Sequence, residues 1–269
     1  MTNIPDELTE FLTTNIELVD SLEIKELYKR AGWNLRGKLS DVLIDIGINP
    51  LNHVTSIIDH MFCESSVEAI EVPNNVKSIG EYAFYACHRL TRIVIPNSVR
   101  SIGDDAFLYC HSLKSITIPD SVTRIGWGAF RSCSGLTSIT IGNGVTSIGS
   151  DAFEYCTRLT SITIPDNVTN IKSAAFSYCF GLTSVTISEG VKSIGDSAFS
   201  NCTSLTSITI PNSVTMIGDD AFVKCEALKE IKFNKTVSQV KSARWYKTSK
   251  WRNGSSITRI ICTDGEIEL

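Results

Sequence analysis

The sequence contains no long apolar run and no segment that resembles an export signal. No stretch approaches the roughly 20 consecutive apolar residues that a membrane-spanning helix needs. Residues 1–12 carry acidic side chains where a secretory signal peptide carries basic ones, and no apolar run follows them. These absences predict a soluble, cytoplasmic protein with no membrane insertion, while a place on the cell surface or in a virion stays open.

The sequence also lacks the motifs that accompany catalysis. It has no nucleophile motif, no phosphate-binding glycine loop and no helix carrying two metal-binding histidines. The adjacent pairs Cys87–His88 and Cys110–His111 hold the ligand types that zinc uses. Neighbouring side chains point in different directions, however, so these pairs are not expected to converge on one ion. We predict no enzyme activity, no metal site and no cofactor.

The composition is that of a folded chain. Hydrophobic residues make up 42% and charged residues 20% of the sequence, so the chain can bury a core. The formal net charge is −4, which gives the chain as a whole no attraction for nucleic acid.

A 23-residue repeat runs through most of the chain, with the pattern V-x-x-I-G-x-x-A-F-x-x-C-x-x-L-x-x-I-x-I-P in residues 99–119. A fixed period of this length indicates a solenoid, whose stacked repeats bury Phe and Leu only against their neighbours. The alternating L-x-x-I-x-I part predicts a short strand that pairs in parallel with the next repeat, and the glycine before A-F predicts a turn entering a short helix. The cysteines that mark the repeat are Cys87, Cys110, Cys133, Cys156, Cys179, Cys202 and Cys225.

The cysteines are expected to be free thiols. Nine cysteines would suggest a disulfide framework in a small secreted protein. Seven of them instead occupy equivalent positions, where an odd number cannot pair completely and pairing would break the repeat. We predict a ladder of buried, reduced thiols that act as small apolar fillers.

This repeat resembles the BspA-like class of leucine-rich repeats, which occurs in bacterial, phage and protist proteins. The resemblance extends over residues 54–237 and agrees in phase and residue type through seven units. It implies an α/β repeat solenoid, a curved array with a parallel concave sheet and short helical turns on the convex side. Many members of the class are secreted adhesins or surface proteins. This chain departs from that pattern, because no signal sequence is recognised in it.

The two ends depart from the repeat. Residues 1–53 contain helically spaced apolar residues closed by glycines, which predicts a small helical N-terminal cap. The solenoid is predicted over residues 54–237, as a degenerate first coil with one residue deleted and seven repeats. Residues 238–269 are a predicted C-terminal cap, whose aromatic residues are expected to plug the last coil.

Charge is distributed unevenly between these ends. Residues 1–28 hold seven acids and one base, whereas residues 229–259 hold nine Lys or Arg and one acid. Basic residues interleaved with aromatics are suited to single-stranded nucleic acid, although a solvated cap is the simpler interpretation. Unlike ends would also permit a head-to-tail homo-oligomer.

Three surfaces are candidates for binding a partner because they depart from the uniform repeat. The exposed strand positions are mostly Ser and Thr, which suit any sheet surface and are not typical hot spots. Aromatic and basic residues on the outer side either face solvent as a docking patch or pack between turns. The candidate residues are Arg92, Val94, Ser115, Thr117 and Lys232 on the strands, Tyr109, Trp127, Arg131, Tyr155 and Tyr178 on the outer side, and Trp245 and Trp251 in the cap.

The favoured function is a non-enzymatic protein-binding scaffold. Its specific form is a phage or bacterial intracellular protein that binds or inhibits a partner protein through a rigid surface. The first alternative is a surface or virion adhesin that binds a host protein or glycan. The second is nucleic-acid binding through the basic C-terminal cap.

Overall fold

A computed structural model of the chain describes residues 54–248 and 250–269, together with six earlier residues, Gly37, Ser40, Asp41, Ile44, Pro50 and Leu51. The helical cap predicted for residues 1–53 therefore lies outside the described residues except at those six positions. The described part is a parallel β-solenoid of about eight coils.

Each coil contributes one strand to each of two ladders. The short ladder has eight parallel strands, β1 (Ser56–Ile57), β3 (Ser78–Ile79), β5 (Ser101–Ile102), β7 (Arg124–Ile125), β9 (Ser147–Ile148), β11 (Asn170–Ile171), β13 (Ser193–Ile194) and β15 (Met216–Ile217). The long ladder contains β2 (Ala69–Glu71), β4 (Arg92–Val94), β6 (Ser115–Ile118), β8 (Ser138–Ile141), β10 (Ser161–Ile164), β12 (Ser184–Ile187), β14 (Ser207–Ile210) and β16 (Glu230–Phe233). Ile side chains point inward and Ser or Thr side chains point outward along most of these strands, as alternation predicts.

The coils stack in register. Equivalent residues of the repeat are partners in the ladders, such as Ile102 and Ile125. The first pair is Ser56 with Ser78, one residue closer in sequence than the repeat, because the first coil carries a deletion. Within the described residues the long ladder is interrupted twice, since β4 is not hydrogen-bonded to β6, nor β8 to β10.

Columns of identical side chains fill the interior. Eight phenylalanines from Phe62 to Phe222 stack with ring centroids 5.0 to 5.7 Å apart and planes within 7° of parallel. Beside them, each of the seven repeat thiols donates a hydrogen bond of 2.8 to 3.2 Å to a phenylalanine carbonyl of the preceding coil. All nine cysteines are free. The seven repeat cysteines form the predicted column of buried thiols.

The predicted helical turns on the outer side are not found in the described coils. The segment from the glycine to the cysteine forms consecutive turns, because two residues in most repeats, such as Asp105 (φ 49°) and Tyr109 (φ 64°), adopt left-handed backbone angles. Alternate backbone amides of this segment are satisfied by the next coil, as when Asp105 N–H donates to the Trp127 carbonyl at 2.7 Å and Phe107 N–H donates to the Ala129 carbonyl at 2.8 Å. Hydrogen bonding between coils thus replaces the hydrogen bonding of a helix.

The C-terminal cap begins with helix α1 (Val237–Ser242). Thr236 and Gln239 form a capping box at the N-terminus of this helix. It continues through helix α2 (Arg244–Thr248), a 3-10 helix (Lys250–Arg252), β17 (Arg259–Cys262) and β18 (Gly265–Glu268). β17 extends the long ladder in parallel to β16, and β18 pairs antiparallel to β17. None of the helices in the described part of the chain has both the length and the apolar character needed to cross a membrane.

Candidate functional site

The outer side of the solenoid carries a ridge of polar and aromatic side chains. We define this outer ridge by the two positions after each buried phenylalanine and the position after each repeat cysteine. Backbone hydrogen bonds to the next coil fix it, as when Tyr178 N–H donates to the Ser200 carbonyl at 2.8 Å. The ridge includes Tyr85, His88, Tyr109, His111, Arg131, Glu154, Tyr155, Tyr178 and Phe180.

Four rings form a continuous cluster at the N-terminal part of the outer ridge. Tyr85 meets Tyr109 edge-on at 5.8 Å, and Tyr109 contacts His111 at 5.8 Å. His111 stacks on His88 at 5.2 Å with planes 3° apart. Tyr109 remains 39% exposed, so the rings support one another and still present apolar surface to solvent.

The two histidines are held in one tautomer. Nδ1 of His88 lies 3.1 Å from the Tyr109 carbonyl, and Nδ1 of His111 lies 2.9 Å from the Ser132 carbonyl. Because a carbonyl only accepts, each Nδ1 donates, and in the neutral ring each Nε2 is then an acceptor. Equivalent atoms of these parallel rings lie about 5 Å apart, too far for two bonds of about 2.0–2.1 Å to one zinc ion. No group of three or more His, Cys, Asp or Glu residues is placed to hold a metal ion within the described residues.

A second aromatic cluster lies further along the outer ridge. Tyr155 and Tyr178 stack with ring centroids 4.4 Å apart, and Phe180 meets Tyr178 edge-on at 5.9 Å. Phe180 is 41% exposed. The aromatic residues of the outer side therefore combine both expected arrangements. The tyrosines pack on one another, and the outer edges of the cluster are exposed to solvent.

A charged pair joins the two clusters. Nε of Arg131 lies 2.7 Å from Oε2 of Glu154, and its guanidinium carbon lies 5.9 Å from the centre of the Trp127 ring. Burial raises the pKa of the Glu154 carboxyl, and the positive charge of Arg131 opposes that shift. Trp127, 41% exposed, flanks the outer ridge here and adds an aromatic edge beside the cation.

A buried carboxyl lies beside this pair. Asp105 is 1% exposed, and its Oδ1 has no hydrogen-bond partner in the described part of the chain. Burial raises its pKa to about 6, while a hydrogen bond from Tyr82 and the charge of Arg131 lower it by less. Gly128 of the next coil provides the space, since a Cβ there would lie 2.2 Å from Oδ1.

Four of the predicted strand residues come together on the long ladder. Arg92, Val94, Ser115 and Thr117 line a groove of about 470 Å³ between β4 and β6, where the ladder is not hydrogen-bonded. Arg92 forms an exposed ion pair of 3.7 Å with Glu71. Lys232 is exposed at the far end of the same ladder, away from this groove. The groove offers one cation, aliphatic side chains and small polar side chains, but no ring.

The two predicted cap tryptophans are buried. Trp245 is 5% exposed and stacks on Phe233 at 5.1 Å, while Trp251 is 1% exposed and meets Phe222 edge-on at 6.1 Å. They plug the last coil, so neither ring is available to a protein partner or to a nucleobase.

The comparisons with known proteins agree with this architecture. The family model described as the BspA type leucine-rich repeat region matches residues 55–182 and 129–252, with six copies. The chain belongs to this family. No curated protein matches the chain.

Two solved structures show the relationship. A leucine-rich repeat protein of T. pallidum is 28% identical, with a TM-score of 0.53 over 68% of this chain and 73% of its own. A leucine-rich repeat protein of Bacteroides ovatus is 28% identical, with a TM-score of 0.57 over 74% of this chain. The match covers 54% of the Bacteroides protein, so this chain spans about half the length of that relative. The leucine-rich repeat scaffold is consistent with a protein-binding role.

The sequence predicts that His88 and His111 lie outside, beside the buried Cys87 and Cys110, but neither histidine nor Tyr85 was among the predicted partner-binding residues. Comparing equivalent positions of the repeat links Tyr109 with Tyr155 and Tyr178. Tyr85 touches Tyr109 from a different position in the preceding coil, so only the stacking of coils reveals the contact. The adjacent Cys–His pairs did contain a signal, because a buried Cys places the following His outside.

Proposed function

We propose that this chain is a non-enzymatic protein-binding scaffold and that the outer ridge docks its partner. The observation that carries the proposal is the pair of aromatic clusters joined by Arg131 and Glu154 along a solenoid of otherwise small polar side chains. Aromatic side chains and arginine supply most binding energy at protein interfaces. Three of the large hydrophobic side chains exposed in the described residues, Tyr109, Trp127 and Phe180, lie on or beside this ridge.

Rigidity supports the same proposal. Tyr155 and Tyr178 already stack on one another, and Arg131 is already held by Glu154. Side chains that are ordered before binding lose little conformational entropy when a partner arrives. The partner class that fits is a folded protein whose surface offers a shallow apolar patch with a charged rim.

Several finer forms belong to this proposal. In one, the scaffold acts inside a bacterial or phage-infected cell and inhibits the protein that it binds. Self-association through the unlike ends is another form, and an adhesin on a surface or virion is a third. Nucleic-acid binding through the cap loses support because Trp245 and Trp251, which would stack on bases, are buried.

The test is affinity capture from the native host with a matched pair of triple variants. The ridge variant combines Tyr109→Asn, Tyr155→Asn and Tyr178→Asn, because Asn201 occupies the same position with a φ of 57° and shows that the fold accepts it. The control variant combines the exposed substitutions Thr140→Ala, Thr163→Ala and Thr186→Ala on the long ladder.

Mass spectrometry should identify a protein that the wild type and the control variant enrich and that the ridge variant loses. Thermal melts should show that all three proteins are folded at the temperature of the capture, so that the loss reports on docking and not on folding. A partner retained equally by the ridge variant would show that docking occurs elsewhere.

A further inference from the structure

The C-terminal cap carries an Asn–Gly pair in an exposed turn. Asn253 and Gly254 follow the 3-10 helix (Lys250–Arg252), and both residues are exposed to solvent. An asparagine before glycine loses its side-chain amide most readily, because glycine has no side chain that hinders attack by its backbone nitrogen. That attack requires the peptide plane between the two residues to rotate until the glycine nitrogen meets the side-chain carbonyl carbon of the asparagine.

The peptide plane between Asn253 and Gly254 is held by no hydrogen bond in the described part of the chain. No described backbone group donates to the Asn253 carbonyl, and the Gly254 N–H donates to no described carbonyl. A Cβ placed on Gly254 would meet its nearest atom, Cγ2 of Val223, at 3.4 Å, which is an ordinary contact. This plane can therefore turn without displacing a neighbour.

A second Asn–Gly pair, Asn143 and Gly144, lies in a turn that the neighbouring coils hold. Asn143 is exposed, but Nδ2 of Asn167 donates to its carbonyl at 2.6 Å, and its own N–H donates to Oδ1 of Asp120 at 2.7 Å. A Cβ placed on Gly144 would lie 1.7 Å from the Asp120 carbonyl oxygen, so the turn is wedged against the preceding coil. Rotation of this second peptide plane requires the coils to separate locally.

We propose that Asn253 is a site of spontaneous deamidation, at which the folded chain acquires aspartate and isoaspartate in one turn of the cap. The Gly254 nitrogen attacks Cγ of Asn253 and forms a C–N bond. The Cγ–Nδ2 bond breaks, and ammonia leaves with the proton of the Gly254 N–H. Water then opens the cyclic succinimide at either carbonyl, which gives aspartate or isoaspartate. Water is the only co-reactant, and the product carboxylate releases a proton and adds one negative charge.

The modified turn carries hydrogen bonds that cap the last coil. Phe222 N–H donates to the Trp251 carbonyl at 3.1 Å, and Lys224 N–H donates to the Gly254 carbonyl at 3.3 Å. Isoaspartate adds one main-chain carbon between these two acceptors, so the bond from Lys224 loses its register while the bond from Phe222 is kept. Lys224 occupies an outer-ridge position of the last coil, so the modification alters the C-terminal end of the ridge. The reaction itself does not depend on the function proposed for the ridge.

Peptide mass spectrometry after ageing of the whole chain at neutral pH measures both Asn–Gly pairs in one sample. Deamidation of Asn253 should be at least about tenfold faster than that of Asn143, because the second site reacts only after local opening. An isoaspartyl methyltransferase should label the peptide that contains Asn253. Ageing in denaturant should bring the two rates within about threefold of each other, because the restraint on Asn143 is then lost.

Two variants of the exposed Asn253 separate the reaction from its consequence. Asn253→Gln should abolish modification of this turn and leave the rate at Asn143 unchanged, because the longer side chain disfavours ring closure. Asn253→Asp supplies the charge without the additional main-chain carbon. In aged wild type enriched in isoaspartate, hydrogen exchange of the Lys224 amide should be about tenfold faster than in Asn253→Asp, whereas that of Phe222 should agree within about twofold.

Three results would overturn the proposal. They are equal rates at Asn253 and Asn143 in the folded chain, modification of the turn that persists in Asn253→Gln, and aspartate without isoaspartate at position 253. Equal exchange of the Lys224 amide in aged wild type and in Asn253→Asp would overturn the consequence for the cap, because isoaspartate would then leave the bond to Gly254 intact.

Discussion

The stacking of the phenylalanines predicts which substitutions in the core are energetically coupled. Phe153 is fully buried between Phe130, at 5.4 Å, and Phe176, at 5.3 Å. In a core that exists only between neighbouring coils, the cost of changing Phe153 depends on its neighbours and not on distant phenylalanines. We therefore expect Phe153→Leu to be energetically coupled to Phe130→Leu and uncoupled from Phe84→Leu.

The expected magnitudes follow from this geometry. Each single substitution should lower the free energy of unfolding by about 1–2 kcal/mol, because leucine retains most of the buried volume. A stacked aromatic pair contributes about 0.5–1.5 kcal/mol beyond its buried area, so the Phe130 and Phe153 double variant should depart from additivity by about 1 kcal/mol. Phe84 is three stacking steps from Phe153, and that double variant should be additive within about 0.5 kcal/mol.

Urea unfolding of the wild type, the three single variants and the two double variants measures both couplings. Circular dichroism and tryptophan fluorescence should report coincident transitions with unchanged denaturant slopes, which allows the free energies to be compared. The exposed substitution Thr140→Ala is the control and should change the free energy by less than about 0.5 kcal/mol. Equal coupling in the two pairs, or none in the adjacent pair, would refute the nearest-neighbour account of the core.

Three further predictions concern thiols, pH and the cap. Burial raises the pKa of Cys179 to about 12, so a bulky thiol reagent at neutral pH should modify few thiols in native protein and nearly all nine after denaturation. Loss of free thiol without reductant would contradict the reduced ladder. Because the Asp105 carboxyl has a pKa of about 6 when folded and a lower one when unfolded, its contribution to stability is present at low pH and is lost as pH rises toward and through 6. Asp105→Asn suits the left-handed backbone at this position. It should therefore raise the free energy of unfolding at pH 7.5 by about 1–2 kcal/mol and flatten the pH dependence of that free energy. A urea unfolding profile of the wild type that does not change between pH 4 and about 7 would refute this. Trp251→Ala removes the plug on Phe222 and should cost about 3–5 kcal/mol, measured by urea unfolding, whereas a cost below 1 kcal/mol would mean that the cap does not seal the core.

The sequence predicts the core of this fold because every repeat has the same pattern of buried positions. The period identifies the inward residues of both ladders, including the Phe and Cys columns, and the one-residue deletion in the first coil agrees with the pairing of Ser56 and Ser78. The outer turns could not be predicted in the same way. A glycine followed by acids and Ala-Phe favours a helix locally, but hydrogen bonds to the next coil, such as Phe107 N–H to the Ala129 carbonyl, select turns instead.

Less of the candidate site was predictable, because it depends on contacts between different positions of neighbouring coils. Tyr109, Trp127 and Arg131 stand out as departures from the repeat. The partners that complete the ridge, Tyr85 and Glu154, are revealed only by stacking.

The measurement that tests the docking account most directly is hydroxyl-radical footprinting of the scaffold alone and in complex with the protein that it captures from its native host. Oxidation of Tyr109, Trp127 and Phe180 should slow in the complex, because these exposed rings lie where the partner is expected to dock. Val94 and Thr140 on the long ladder should keep their rates. Unchanged oxidation along the outer ridge, with protection of the long ladder instead, would contradict the account.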